Sequence, residues 1–337
     1  MEKTLIMVKT SEVNEMMDTK DRDLLVDIAV MYYLENKTQS QISKALYISR
    51  PKISRLLKKA RDMNIVEVKI NYESDNINRI TRQIQNRFGV ENVLVVKTLS
   101  TEEETIKEIG KAAANELKYH LFDGVKIGMS WGRTVKALVN AFKPKTLKDI
   151  KIVELFGAVG YGDDSQEYQS IGYEFSQKVN GTYFSLPSPL YINDSNTRNT
   201  LLDNPIIKNT LKMIDSCDFL VTSVGTVNSD SPQRIWDAHV DPKTRDELIE
   251  LGAKGYLCAH FFNSRGDFID HPINDNVIGI RTESIRKNNI FLVAGGVNKC
   301  QSIYAMLKGG YINTLVSDDK TLSRILSVDK NERGEYL

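Results

Sequence analysis

Apolar residues recur along this chain with two different periods, and the place where the period changes divides it into two parts. Leu25, Ile28, Ala29 and Tyr32 fall on one face of a helix over Asp21 to Glu35. Ile42, Ala45 and Leu46 mark the inner side of a second short helix, Tyr47 and Ile48 a tight turn, and Ile53, Leu56, Leu57 and Ala60 the i, i+3, i+4, i+7 face of a third. Ser49 stands at the N-cap of that third helix. Pro51 follows in its first turn, where a missing N–H costs nothing. From Asn64 to Tyr72 the period drops to two, with Val66, Val68 and Ile70 alternating against Ile65, Glu67 and Lys69. That pattern predicts a half-buried strand behind the third helix, the wing of a winged helix-turn-helix. Ile77, Ile80, Ile84 and Phe88 then stripe an amphipathic connecting helix, and a stripe does not say whether it packs on its own domain or on a second subunit. Residues 1–20 show no period and read as a loosely ordered arm or a short extra helix.

Beyond residue 91 short apolar runs alternate with helical patterns, the signature of a parallel sheet covered by helices. Strands are expected at 93–96, 125–129, 151–156, 218–224, 256–262, 290–295 and 313–318, and helices near 102–119, 133–142, 167–179, 242–251, 298–308 and 318–327. The predicted fold class is α/β: a small all-α winged helix-turn-helix head followed by a larger, doubly wound, mostly parallel-sheet effector-binding domain. Its expected divisions are an arm at 1–20, the head at 21–72, a linker helix at 73–90 and an effector-binding and oligomerisation domain at 91–330.

Charge sharpens the reading of the head. Lys37 to Arg61 holds eight Lys or Arg and no Asp or Glu, so +8 sits in a chain whose total is +1, which leaves −7 for the rest. Only this end is built for a polyanion. The core spacing leaves Arg50, Lys52, Ser54, Arg55 and Lys58 facing outward beside Ser49, on the part of a recognition helix that reaches base edges in the major groove. Arg can grip guanine through two parallel hydrogen bonds, while Lys serves as a point charge for phosphate.

The 337 residues exceed one typical domain of about 100–200 residues. No apolar run approaches the ~18 residues that span a bilayer, and MEKTLIMVKT lacks the apolar core of a signal peptide, so a cytoplasmic protein without membrane contact is expected. Cys217, Cys258 and Cys300 are far apart, with no CxxC and no Cys/His cluster; reduced buried thiols are expected, with no metal and no cofactor. The histidines, His120, His239, His260 and His271, are equally scattered.

Glycine-bearing loops at strand ends carry the candidate ligand chemistry. Gly128, Ser130, Trp131, Gly132, Arg133 and Thr134 follow a strand and open a helix, where amides and hydroxyls would cradle a phosphate. GKS, GKT and GxGxxG are absent, which argues against a nucleoside triphosphate or a dinucleotide. Ser223 to Thr226 forms a second such loop, and Ala294 to Lys299 a third, in which Lys299 would neutralise an anion held beside Gly295 and Gly296. The loop GAVGYGDD at 157–164 is also glycine-rich. Asp163, Asp164, Asp237 and Asp275 are available carboxylates, but no motif assigns any of them the acid or base role a sugar-phosphate enzyme requires, so no residue is predicted to be catalytic.

The head QISKALYISRPKISRLLKKARDMNIVEVKI, the loop GMSWGRT, and the run from DFLVTSVGTV to LVAGGVNKCQSIYAMLKGGYINTLVSDD together resemble the SorC family of bacterial transcriptional regulators, over residues 21–327. The resemblance implies a helix-turn-helix that binds double-stranded operator DNA. It also implies an effector domain similar to sugar-phosphate isomerases, a phosphorylated sugar or polyol as effector, and a homotetramer or dimer. On that basis the phosphate loop is Gly128 to Thr134, and the opposite wall is Gly225, Asp275, Gly295, Gly296 and Lys299. Lys52 and Tyr47 depart from the family pattern, which expects a smaller polar and a less aromatic residue there, and so put the operator sequence in question.

Overall fold

The computed structural model describes residues 5–8, 19–35, 37–63, 65–69, 72–158, 171–227, 235 and 239–334. They fall into two compact units, Met1–Asn76 and Ile77–Leu337.

The first unit contains β1 (Leu5–Val8), α1 (Thr19–Ala29), a π-helical turn at Val30–Leu34, α2 (Gln39–Leu46), α3 (Arg50–Asp62) and β2 (Val66–Lys69). Thr38 caps α2 through a reciprocal pair: its Oγ1 accepts from the Gln41 amide at 3.2 Å, and its own amide donates to Gln41 Oε1 at 2.8 Å. Tyr47 turns the chain in the left-handed region at φ 56° and stands 97% exposed. Ile28, Ile42, Ile53 and Leu57 form one buried cluster, and Leu25, Ala29, Ala60, Ile65 and Val66 another, so α1 and α3 bury the faces their spacing predicted, whereas α2 buries Ile42, half-buries Leu46 and leaves Ala45 exposed. Two expectations change. The head is not all-α, because β1 pairs antiparallel with β2, Leu5 opposite Lys69 and Val8 opposite Val66. Residues 5–8 are therefore a strand rather than a loose arm or helix. Four residues are too few to display a period, and their partner lies some sixty positions away.

The division falls within α4 (Tyr72–Phe88), whose residues from Ile77 onward open the second unit. In order come β3 (Asn92–Val96), α5 (Glu102–Leu117), β4 (Lys126–Met129), α6 (Arg133–Ala141), β5 (Lys151–Glu154), α7 (Ile171–Val179), β6 (Thr182–Phe184), α8 (Ser195–Asp203), α9 (Pro205–Asp215) and β7 (Phe219–Thr222). Then follow β8 (Val224–Thr226), α10 (Pro242–Glu250), β9 (Ala253–Leu257), β10 (His260–Asn263), α11 (Pro272–Asp275), α12 (Thr282–Lys287), β11 (Asn289–Val293), α13 (Cys300–Lys308), β12 (Ile312–Asp318) and α14 (Asp319–Glu332).

Seven strands form one parallel sheet in the order β3-β12-β11-β7-β4-β5-β6. Successive residues enter opposite cores: Leu220, Leu292 and Leu315 join one cluster, while Val221, Val293 and Val316 join the other. Both faces are covered, which is why these strands read as continuous apolar runs without alternation. A separate antiparallel sheet, β10-β9-β8, stands beside it. Two expected strands are thus each broken in two. The run 218–224 stops at Ser223, and its continuation β8 joins the second sheet. The run 256–262 folds into a hairpin at Cys258 and Ala259, both left-handed at φ 47° and 67°, with Leu257 opposite His260. No glycine or asparagine marks that turn.

Ile80 and Ile84 of α4 are buried in the core of the second unit, so the stripe packs on its own chain. Ile84→Ala removes a fully buried side chain and should cost about 2–5 kcal/mol in urea unfolding. Ile77, partly exposed, should cost less when changed to Ala. Equal costs would contradict this packing.

Candidate functional site

Strands β4 and β7 are neighbours, but the chain leaves β4 toward β5 and β6, and leaves β7 toward β11 and β12. This is a switch point, and the segments beyond the two carboxyl ends diverge to leave a crevice. The crevice is a cavity walled by Ser130, Trp131, Gly132 and Arg133 after β4, Thr222 to Gly225 after β7, Tyr256, Cys258 and Ala259 of the hairpin, and Phe156, Ile235 and Lys299. The Ser130 amide donates to the Val221 carbonyl at 3.0 Å, which holds the two strand ends together at the cavity floor.

Helix α6 starts at this cavity. Its N-cap, Gly132, has φ 152° and supplies no side-chain cap, so the positive end of the helix is open toward the crevice. Arg133 and Lys299 add full charges. Arg133 Nη2 pairs with Glu102 Oε1 at 2.5 Å, while Lys299 lies in the cleft with no ion pair among the described residues. Desolvation, and then the neighbouring Arg133 guanidinium, pull the Lys299 ammonium down to about 8. Glu102 offsets part of this charge, and the two cations with the open helix terminus leave the cavity with a positive excess that suits an anion.

Ser130, Trp131, Gly132, Arg133, Gly225 and Lys299 converge on the cavity; the remaining residues expected there do not line it. Gly128 lies within β4, where a Cβ would come within 2.5 Å of Leu155 and 2.6 Å of Leu220, so the sheet's packing explains it. Thr134 is buried, donates from Oγ1 to the Val293 carbonyl at 2.6 Å, and ties α6 to β11. The Gly296 amide donates to Asp318 Oδ2 at 2.9 Å and faces Thr321 Oγ1 at 3.0 Å, while a side chain at Gly295 would strike Ile109 and Asp318. These glycines let the loop approach Asp318. Asp275 is exposed at the end of α11 and lines a different cleft. Asp163, Asp164, Asp237 and most of the loop 157–164 lie outside the described residues.

Sequence reasoning missed Tyr256, Cys258 and Ala259 as cavity residues. One signal for Tyr256 existed in Gly225, since a Cβ at that position would fall 1.9 Å from the Tyr256 ring. The three cysteines are free and buried, and burial pushes the Cys258 thiol up to about 12. No group of His, Cys, Asp or Glu among the described residues could hold a metal ion.

On α3, Arg50, Lys52, Ser54, Arg55 and Lys58 are all exposed while Ile53, Leu57 and Ala60 are buried. None of these four cations forms an ion pair with a described residue. Ser49 occupies the N-cap, but its hydroxyl makes no capping bond, which leaves it open to solvent on the same end of the helix.

A helix-turn-helix head with an uncommitted basic face, ahead of a parallel α/β unit with a cation-lined cavity at its switch point, defines a ligand-responsive DNA-binding protein. The family model described as "Putative sugar-binding domain" matches residues 72–327. The chain is 26% identical over 315 residues to the sorbitol operon regulator of Klebsiella pneumoniae, a match that covers 92% of this chain and 100% of that protein. It is 25% identical over 313 residues to the deoxyribonucleoside regulator of Bacillus subtilis (strain 168), covering 92% and 99%. The crystal structure of full-length SorC from Klebsiella pneumoniae superposes with a TM-score of 0.69 at 26% identity, over 91% of this chain and all of that one. The chain belongs to the SorC family of transcriptional regulators, with a sugar-binding domain as its larger unit. These relatives are named regulators, not enzymes. No helix among the described residues is long and apolar enough to cross a membrane.

Asp318, 1% exposed, accepts from the Gly296 amide at 2.9 Å and from the Thr321 amide and hydroxyl at 3.0 and 2.7 Å, while the single proton of the Thr98 hydroxyl is shared between Asp318 and the nearer Asp319. Asp318→Ala should lower stability by about 3 kcal/mol or more, because several buried donors lose their acceptor together. Denaturant titration reads this directly, and a loss below ~1 kcal/mol would mean the network contributes little.

Proposed function

We propose that this regulator binds its sugar or polyol effector in phosphorylated form, with the phosphate at the open end of α6 between Ser130, Gly132, Arg133 and Lys299. The observation that carries this reading is the pair of cations, Arg133 and Lys299, lining one cavity at the start of α6 with Glu102, the partner of Arg133, as the opposing charge and the Lys299 ammonium held down. A neutral sugar leaves the positive excess in place, whereas a phosphate dianion offsets it and adds charge-assisted hydrogen bonds. Trp131, Gly225 and Tyr256 would then bound the sugar. Calorimetry with a panel of sugar phosphates against the parent sugars tests the proposal.

The pH dependence follows from the lysine. Lys299 is charged below about 8 and neutral above, so phosphate affinity should fall as pH rises from 7 to 9. Phosphate itself completes its second ionisation near pH 6 and contributes no change in that window. Lys299→Met should weaken binding by about 1.5–3 kcal/mol at pH 7 and flatten the profile. An unphosphorylated sugar that binds as tightly as its phosphate would defeat the reading.

The same proposal assigns operator contact to α3, with Arg50, Lys52 and Arg55 at base edges and Lys58 and the Ser49 and Ser54 hydroxyls at the backbone. A single head makes few base contacts, so heads on a two-fold axis would read half-sites one or more helical turns apart. The chain would accordingly act as a homodimer or tetramer. Arg50→Ala and Arg55→Ala should each cost about 1–3 kcal/mol of operator binding and relax preference at one position. Lys58→Ala should weaken all sequences alike and reduce the salt slope by about one unit. Light scattering should return a multiple of the 38.2 kDa chain mass. Unchanged operator binding in the arginine variants, or a monomer bound to operator, would refute this arrangement.

A further inference from the structure

A second cleft, of about 800 Å³, lies between α8, α9, the segment 268–275 and the start of α12. It falls in the volume range of small-molecule sites, about 300–1,000 Å³, and the effector reading makes no use of it. One wall is apolar, with Leu202, Leu211, Phe268 and Val277 among its members.

The polar groups in it divide into spent and unspent. Arg198 donates to the Asp275 carbonyl at 3.0 Å and to Asn276 Oδ1 at 2.6 Å, Arg281 pairs with Asp215 at 2.8 Å, and Lys208 pairs with Asp203 at 3.3 Å. The side chains of Asp270, Asp275 and Glu283 have no partner among the described residues, against a single such cation, Lys212. Arg198 meets only neutral oxygens and keeps its charge, so three unpaired carboxylates face two unneutralised cations, Arg198 and Lys212, and the balance is negative by one.

His260 is the second, independent feature. It lines this cleft at 3% exposure, and its Nδ1 sits 2.8 Å from the Cys258 carbonyl. A carbonyl only accepts, so Nδ1 carries the proton and Nε2 presents a lone pair that meets no donor among the described residues. Burial holds the imidazole neutral by lowering it to about 4, and Glu283 is close enough to oppose that shift. Asn274, the other buried polar group here, is fully occupied by Phe261 and Ile269. A deep acceptor beside unpaired carboxylates selects a ligand that brings N–H donors and positive charge, while Leu202, Leu211 and Phe268 favour one with a carbon skeleton.

We infer that this cleft is a second ligand site for a small organic amine, whose ammonium is received by Glu283 and Asp270 and whose N–H reaches His260 Nε2. The hairpin is common to both sites: Cys258 and Ala259 line the switch-point cavity, and His260 lines the cleft.

The test uses the full-length protein, with 1,4-diaminobutane and glucosamine as probes and butane-1,4-diol and glucose as their neutral counterparts. Calorimetry should show saturable binding of the amines and at least tenfold weaker binding of the neutral compounds. Glu283→Gln combined with Asp270→Asn changes only exposed side chains and should weaken the amines at least tenfold. His260→Leu should do the same. Because His260 is buried and its variant can fail to fold, the carboxylate variant decides the matter. Amines that bind no better than the diol and glucose overturn the inference, as does a carboxylate variant that binds them like the parent.

Discussion

The parallel pairing of β4 with β7 is the constraint on which the larger unit depends. Ile127 to Met129 lie against Phe219 to Val221, and this register places Ser130 and Ser223 at adjacent strand ends. Right-handed crossovers on a twisted sheet carry the chain to opposite sides from these two strands, so no connection fills the space above them. Everything at the cavity answers to that gap: α6 begins there because β4 ends there, β8 leaves the sheet there, and the hairpin β9–β10 closes the far wall. On one face of the sheet Leu155, just past β5, and Leu220 of β7 close over Gly128 and leave no room for a side chain there.

Much of this was legible in the sequence because the signals were local. The spacing of Ile53, Leu57 and Ala60 set the buried face of α3, and so, by exclusion, the outward face of Arg50 and Arg55. Six of the seven apolar runs marked strands of the parallel sheet, since strands covered on both faces have no polar alternation to hide them; the seventh, 256–262, became the antiparallel hairpin, and the three-residue edge strand β6 was not foreseen. What failed was non-local. β1 was invisible because a four-residue strand acquires meaning only from its partner β2. The Cys258–Ala259 turn was invisible because the left-handed conformation there is imposed by tertiary packing on residues that do not favour it.

The candidate site was half legible for a related reason. A glycine in a strand-to-helix loop has several physical uses that look alike in sequence. Gly132 opens a helix, Gly225 makes way for Tyr256, and Gly295 and Gly296 make way for Asp318. Of these, Gly132 and Gly225 reach the cavity. Hydroxyls divide in the same way: Thr134 spends its proton on Val293, while Ser223 stays in the cavity wall. Only the three-dimensional arrangement tells which donors remain for a ligand.

A regulator must also convert binding into a shift between two states, and the ligand contributes only what it binds better in one of them. Moving a population from one part in a hundred to ninety-nine takes about 5.5 kcal/mol of differential affinity. A hydrogen bond to a charged group supplies about 1.5–3 kcal/mol, so two or three made in one state alone are sufficient. The cavity walls suit that demand, because they come from separate pieces of the fold: the start of α6, the β7–β8 break, the hairpin and the loop before α13. An anion that joins Lys299 to the end of α6 bridges segments with no direct covalent continuity. On the proposed reading the spacing of those segments would be the quantity on which the ligand acts, and a state that held them slightly apart would forfeit the bridging hydrogen bonds together rather than one at a time.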